Sequence, residues 1–178
     1  MITLKETISA IKNDLPSKSF KSAVQSYFYN TGFRVLLNHR IGKYLYHSKF
    51  ILFRQIANYY KVRLITKRNC DISYKSFIGK NVRFPHPIGI VIGDGVVIKD
   101  NVKIWQQVTF GSHGKNNETM SYPTVEENVK VFAGAKIFGN ITIGSNAIIA
   151  ANAVVNKSVL PNDTVAGIPA VSIKQKSK

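Results

Sequence analysis

The side chain best suited to move a proton at neutral pH is His86, held between Pro85 and Pro87 in the run FPHPIG, residues 84 to 89. Two prolines fix the backbone and remove two amide donors, so this imidazole is held at one defined place. A neutral imidazole accepts the proton of a hydroxyl near pH 7, a step worth about 10² to 10⁴ in rate. His86 is the candidate general base. Another histidine, His113, lies in GSHGKNNETMSYP, residues 111 to 123. That Gly, Asn and Ser content reads as a loop projecting from a rigid scaffold, where functional residues concentrate.

The elements that must position these residues follow a period of six. Ten hexapeptides between Ile78 and Leu160 open on an aliphatic residue, commonly followed by Gly, with a small or β-branched residue four places after the aliphatic. IGKNVR, IGDGVV, VEENVK and IGSNAI are examples. Neither an α-helix, with its period near 3.6, nor an alternating strand keeps such a phase. The period predicts a solenoid of short strands, three hexads to a triangular turn, with rungs roughly 4.8 Å apart. Aliphatic residues from Ile92, Ile98 and Ile104 to Ile143, Ile149 and Val155 are expected to point inward and stack, beside small residues such as Ala135 and Ala147. Two places break the phase. It slips by two at FPHPIG, and fifteen residues separate inward-facing Phe110 and Val125 where a regular coil would use twelve or eighteen. The second break predicts a protruding loop over 111–124.

Charge is unevenly spread. The chain of 178 residues carries a formal +16, and residues 1 to 70 hold thirteen Lys and Arg against only Glu6 and Asp14. Apolar residues there recur at helical intervals, as in Leu36, Leu37, Ile41 and Leu45, which predicts two or three basic amphipathic helices. Such helices either pack on the coil or lie on an anionic membrane surface. No nucleic-acid motif accompanies the charge, so no nucleic-acid partner is expected. One cysteine, Cys70, excludes an intramolecular disulfide framework and fits a reducing compartment. With no secretory leader and no apolar run of membrane length, a cytoplasmic protein is expected, in peripheral contact at most with the inner membrane face.

From DISYKSFIGKNVRFPHPIGIVIGDGVVI to DTVAGIPAVSI, residues 71 to 173 resemble the hexapeptide-repeat acyltransferases, most closely the serine acetyltransferase branch. The resemblance implies a mainly β fold: a left-handed parallel β-helix over 71–173, preceded by a short α-helical segment, 1–70, and followed by a basic tail, 174–178. It implies a homotrimer with active sites between subunits and acetyl-CoA as co-substrate. His86 falls where the family keeps its base, and Asp71, fifteen residues upstream, falls where the family keeps an aspartate. Fifteen residues is nearly one turn, so Asp71 is expected beneath His86, fixing its tautomer. Ser112, Ala133 and Ala151 match places lining the pantetheine channel, and Lys157 and Lys174 match basic positions near the nucleotide phosphates. Zinc hydratases on the same coil need three histidines; His39 and His47 fall in the helical segment, so no metal is expected.

Departures from the family pattern fall at the acceptor end. The family's aspartate directly before the catalytic histidine is Pro85 here, and its Arg-His-Pro triplet closing the loop is Ser121, Tyr122 and Pro123. Burying a zwitterion without charged partners is expensive. Pro85, His113, Ser121 and Tyr122 are therefore expected to line a site for a carbohydrate hydroxyl. That makes the expected activity O-acetylation of a bacterial surface polysaccharide, with an anionic or lipid-linked acceptor suiting the basic surface. The alternative is serine O-acetylation in cysteine biosynthesis.

Overall fold

The computed structural model describes residues 3–114 and 122–173. Four helices precede the coil, where two or three were expected, because local caps divide the segment more finely than its apolar spacing shows. α1 (Leu4–Asp14) opens on a capping box in which Thr3 and Glu6 exchange hydrogen bonds. α2 (Phe20–Tyr29) starts from the Ser19 hydroxyl, and α3 (Thr31–Tyr46) from the Asn30 side chain. α4 (Ile51–Arg68) stops at Asn69, whose left-handed φ of 50° turns the chain into the coil.

The coil is built from β1 (Asp71–Ile72), β2 (Phe77–Ile78), β3 (Val91–Ile92), β4 (Val97–Ile98), β5 (Lys103–Ile104), β6 (Thr109–Gly111), β7 (Thr124–Val125), β8 (Lys130–Val131), β9 (Lys136–Phe138), β10 (Thr142–Ile143), β11 (Ile148–Ile149), β12 (Val154–Val155), β13 (Thr164–Ala166) and β14 (Val171–Ser172). They form three sheets, the faces of a prism: β1-β3-β6-β9-β12, then β2-β4-β7-β10, then β5-β8-β11-β13 closed by antiparallel β14. All other pairings are parallel and in register, as a solenoid requires. The expected inward positions are buried throughout, Ile92, Ile98, Ile104, Ile137 and Ile143 at 1% exposure or less. Between the second and third faces, Asn81, Asn101, Asn128, Asn146 and Asn162 take φ between 53° and 61°. Asparagine tolerates that left-handed corner better than other non-glycine residues.

Turn lengths explain both phase breaks. Asp71 pairs with Val91, twenty residues on, whereas Val91 pairs with Thr109 after a regular eighteen. Thr109 then pairs with Lys136 after twenty-seven. Phe110 and Val125 are thus successive faces of one turn, normally six apart as Ile92 and Ile98 are, and the loop inserts nine residues. The expected comparison with twelve or eighteen is corrected accordingly.

The helices meet the coil through α3 and, at β1, through α4. Gly42 lies so close to Tyr74 that a Cβ there would overlap the phenol ring, and Tyr74 donates from its hydroxyl to Asn38 Oδ1 at 3.0 Å. Arg40, buried, pairs with Asp14 of α1 at 3.0 Å and donates to the carbonyls of Ile78 and Gly79. His39, fully buried, contacts Ser76 Oγ through Nε2 at 3.3 Å. Among the described residues no helix is long and apolar enough to cross a membrane.

Candidate functional site

His86 sits on the edge of the prism between the third and first faces, exposed, in the long corner that produces the twenty-residue turn. Three bonds pin that corner. Ile88 N–H donates to the His86 carbonyl at 2.8 Å, Gly89 N–H donates to the Asn69 carbonyl at 2.8 Å, and Gln107 N–H donates to the Ile88 carbonyl at 2.8 Å. The buried Cys70 thiol donates to the Pro87 carbonyl at 3.1 Å, and burial pushes that thiol's pKa up. Pro85 is exposed and Pro87 buried, so one proline faces solvent while the other anchors the turn.

Asp71 opens β1 of the first face, next to that edge, and does not lie directly beneath His86. The first turn runs to twenty residues, so Val91 is its lateral neighbour. No hydrogen bond joins Asp71 and His86 among the described residues. The Asp71 carboxylate pairs instead with Lys61 of α4 at 3.4 Å, both partly exposed. Lys61 had no signal in the sequence, because only the docking of α4 brings it to the coil.

The other candidates divide between two edges. Ala133 and Ala151 lie on the same edge as His86, stacked through the bond from Asn152 N–H to the Ala133 carbonyl at 2.8 Å. Gln106 joins this column: its backbone carbonyl accepts from Gly134 N–H at 2.9 Å, and its buried side-chain oxygen has no partner among the described residues. Ser112, His113, Tyr122 and Lys157 lie on the next edge, between the first and second faces. There the His113 ring rests over Gly139, and the half-buried Tyr122 ring covers Gly93 and Gly95, where any side chain would collide with it. Within one chain, His86 and Tyr122 are on different edges. Ser121 and Lys174 lie outside the described residues.

A repeating coil with an exposed histidine at one edge and small residues above it defines a class, and the comparisons agree. The family model for bacterial transferase hexapeptide (six repeats) matches residues 122–157. Serine acetyltransferase of Buchnera aphidicola subsp. Schizaphis graminum is 34% identical over 173 residues, 94% of this chain and 65% of the relative. Soybean serine acetyltransferase, solved in complex with serine, superposes with a TM-score of 0.81 at 32% identity, covering 94% of this chain and 69% of that one. Serine acetyltransferase of Brucella abortus strain S19, solved with coenzyme A, gives 0.78 at 33% identity, covering 96% and 66%. The chain belongs to the serine acetyltransferase family. It spans about half to two thirds of the length of the curated relatives it matches, from 50% to 65%. Coils of opposite hand do not superpose at 0.81, so the solenoid winds left-handed, as in those neighbours.

These findings overturn the expectation of a carbohydrate acceptor. That expectation weighed three side chains at the acceptor end above the rest of the sequence. The similarity to serine acetyltransferases extends over 94% of the chain, the helical segment included.

Proposed function

We propose that this chain is an acetyl-CoA-dependent acyltransferase that acetylates the hydroxyl of serine, working as a homotrimer with each site between neighbouring coils. The observation that carries this reading is the similarity to serine acetyltransferases over 94% of the chain, joined by solved relatives that hold serine and coenzyme A. The division of candidates between two edges supports the trimer, since a site using both His86 and the 112–122 loop needs a second copy.

In this reading His86 accepts the proton of the serine hydroxyl as its oxygen attacks the thioester carbonyl. The tetrahedral oxyanion then collapses, the C–S bond breaks, and the imidazolium returns the proton to the departing thiolate. The nearby charge of Asp71 stabilises the imidazolium, and Lys61 holds that carboxylate at the edge. Ala133 and Ala151 leave room for the pantetheine arm, with Ser112 beside it, and Lys157 and Lys174 meet the nucleotide phosphates as point charges. Pro85, His113, Ser121 and Tyr122 border the acceptor.

Purified protein should release thiol from acetyl-CoA in proportion to added L-serine. A rate equal with and without serine would overturn the acceptor assignment.

A further inference from the structure

The outer face of the third sheet carries a column of cations that the proposed reaction does not use. Arg83 bridges to Lys103, and Lys103 pairs with Lys130, each contact parallel and in register. Three positive side chains therefore stand above one another at the strand spacing of roughly 4.8 Å. Like charges placed opposite each other weaken a sheet. Among the described residues the ion pairs of the coil are Lys61–Asp71, Lys75–Asp94 and Lys99–Glu126, and none reaches this column.

The surroundings are arranged for an anion. Lys103 and Lys130 are exposed. Arg83 is half-buried; its Nε donates to Asn81 Oδ1 at 3.0 Å and its Nη1 to the Asp14 carbonyl at 3.4 Å, which together fix the plane of the guanidinium and leave Nη2 for a ligand. These three side chains and the corner residues Asn81, Asn101 and Asn128 line an open groove of about 440 Å³. Asn81 Nδ2 donates to Asn101 Oδ1 at 2.8 Å, so the amides are oriented as well. Among the described residues no acidic side chain lines the groove.

We propose that this groove is a second anion site, which takes a linear oligophosphate lying along the coil axis. Lysine ammonium groups suit phosphate as point charges, and the held guanidinium of Arg83 adds a forked donor. A phosphoanhydride chain carries charge on every unit, at a spacing shorter than the rungs, and bends about its bridging oxygens, so a charged oxygen lies within reach of each cation. An extended acidic peptide presents like-facing carboxylates only every second residue, roughly 6.6 Å apart, out of step with the rungs.

The site is separate from the proposed donor channel. Ala133 and Ala151 lie on the edge beyond the opposite margin of this sheet. On that side Trp105 stacks on Phe132 with ring centroids 4.6 Å apart. Trp105 also lines a cleft of about 380 Å³ with Arg83, Pro85, Lys103 and Asp14, whose carboxylate is paired with Arg40. A nucleotide and an inorganic polyphosphate share the phosphate chain and differ in whether that cleft is filled.

The test is isothermal titration of the full chain with tripolyphosphate and with ATP, at low salt and with coenzyme A saturating. Saturable binding of either, weakened roughly tenfold by Lys103→Gln and by Lys130→Gln, is the expected result. ATP binding tighter than tripolyphosphate identifies a nucleotide; equal affinities identify the phosphate chain alone. The same variants should melt no lower than the parent without ligand, because each relieves like-charge repulsion. Absence of saturable binding, displacement by coenzyme A, or unchanged binding in the double variant would overturn the site. So would a change of oligomeric mass in the double variant, which would make the column a contact between copies. Serine-dependent thiol release should be unaltered in both variants, so the failure of this site and the failure of the proposed reaction are separately visible.

Discussion

The coil and the helical segment are stabilised in different ways. Inside the coil, equivalent aliphatic side chains stack face by face, Ile92 on Phe110 on Ile137 on Val155, each rung buried by the next. Every turn presents nearly the same environment, so the loss of one methyl group is a local matter. The helices instead hold to the coil through unrepeated contacts: Arg40 with the carbonyls of Ile78 and Gly79, His39 with Ser76, Gly42 against Tyr74. Much of their remaining apolar surface is exposed in one chain, as at Phe20, Tyr29, Phe50 and Ile51. A repeating interior spreads its stability over many equal contacts, whereas a docked segment concentrates it in a few.

The largest expected effect is therefore at the junction. Arg40→Ala leaves the Asp14 carboxylate buried without its partner and should cost about 3–5 kcal/mol in urea unfolding. Ile143→Val in the coil should cost only about 0.5–1.5 kcal/mol. Equal costs would break the contrast.

A smaller effect concerns pH. Burial, reinforced by Arg40 and Lys43, holds the His39 pKa well below 6.5, so the folded state keeps this imidazole neutral. A base whose pKa falls on folding contributes fully above its unfolded pKa, and the contribution is lost as pH drops below about 6.5. Stability should decline by up to about 1.4 kcal/mol per pH unit in that range. Thermal melts between pH 7 and pH 5 should show the slope, and His39→Gln should flatten it. An unchanged slope in that variant would assign the acid sensitivity to other groups.

The smallest effect is at a coil corner. Asn128 has φ 61°, so Asn128→Ala should cost about 1 kcal/mol while Asn128→Gly costs only tenths. Equal losses would show that the corner depends on the amide and not on its backbone conformation.

The coil was legible because its period is a direct image of its geometry. Ile92, Ile98 and Ile104 announce three faces without reference to anything distant. The corner at His86 was legible as a slip of two, although the slip also moved Asp71 under Val91, a consequence visible only once the strands were paired. Lys61 beside Asp71 and Arg40 beside Asp14 were not legible, since each joins residues through a helix packing that no local pattern encodes. The acceptor was misread for a related reason. Pro85, Ser121 and Tyr122 stand out in the sequence as isolated substitutions, while the ring of Tyr122 is seated on Gly93 and Gly95 and has a packing role of its own.

The most direct test of the account is serine-dependent thiol release from acetyl-CoA by the parent chain and by His86→Ala, with melting and oligomeric mass followed in parallel. The account predicts a folded, unchanged assembly whose rate falls by about 10² or more. A folded His86→Ala protein working at the parent rate would contradict it.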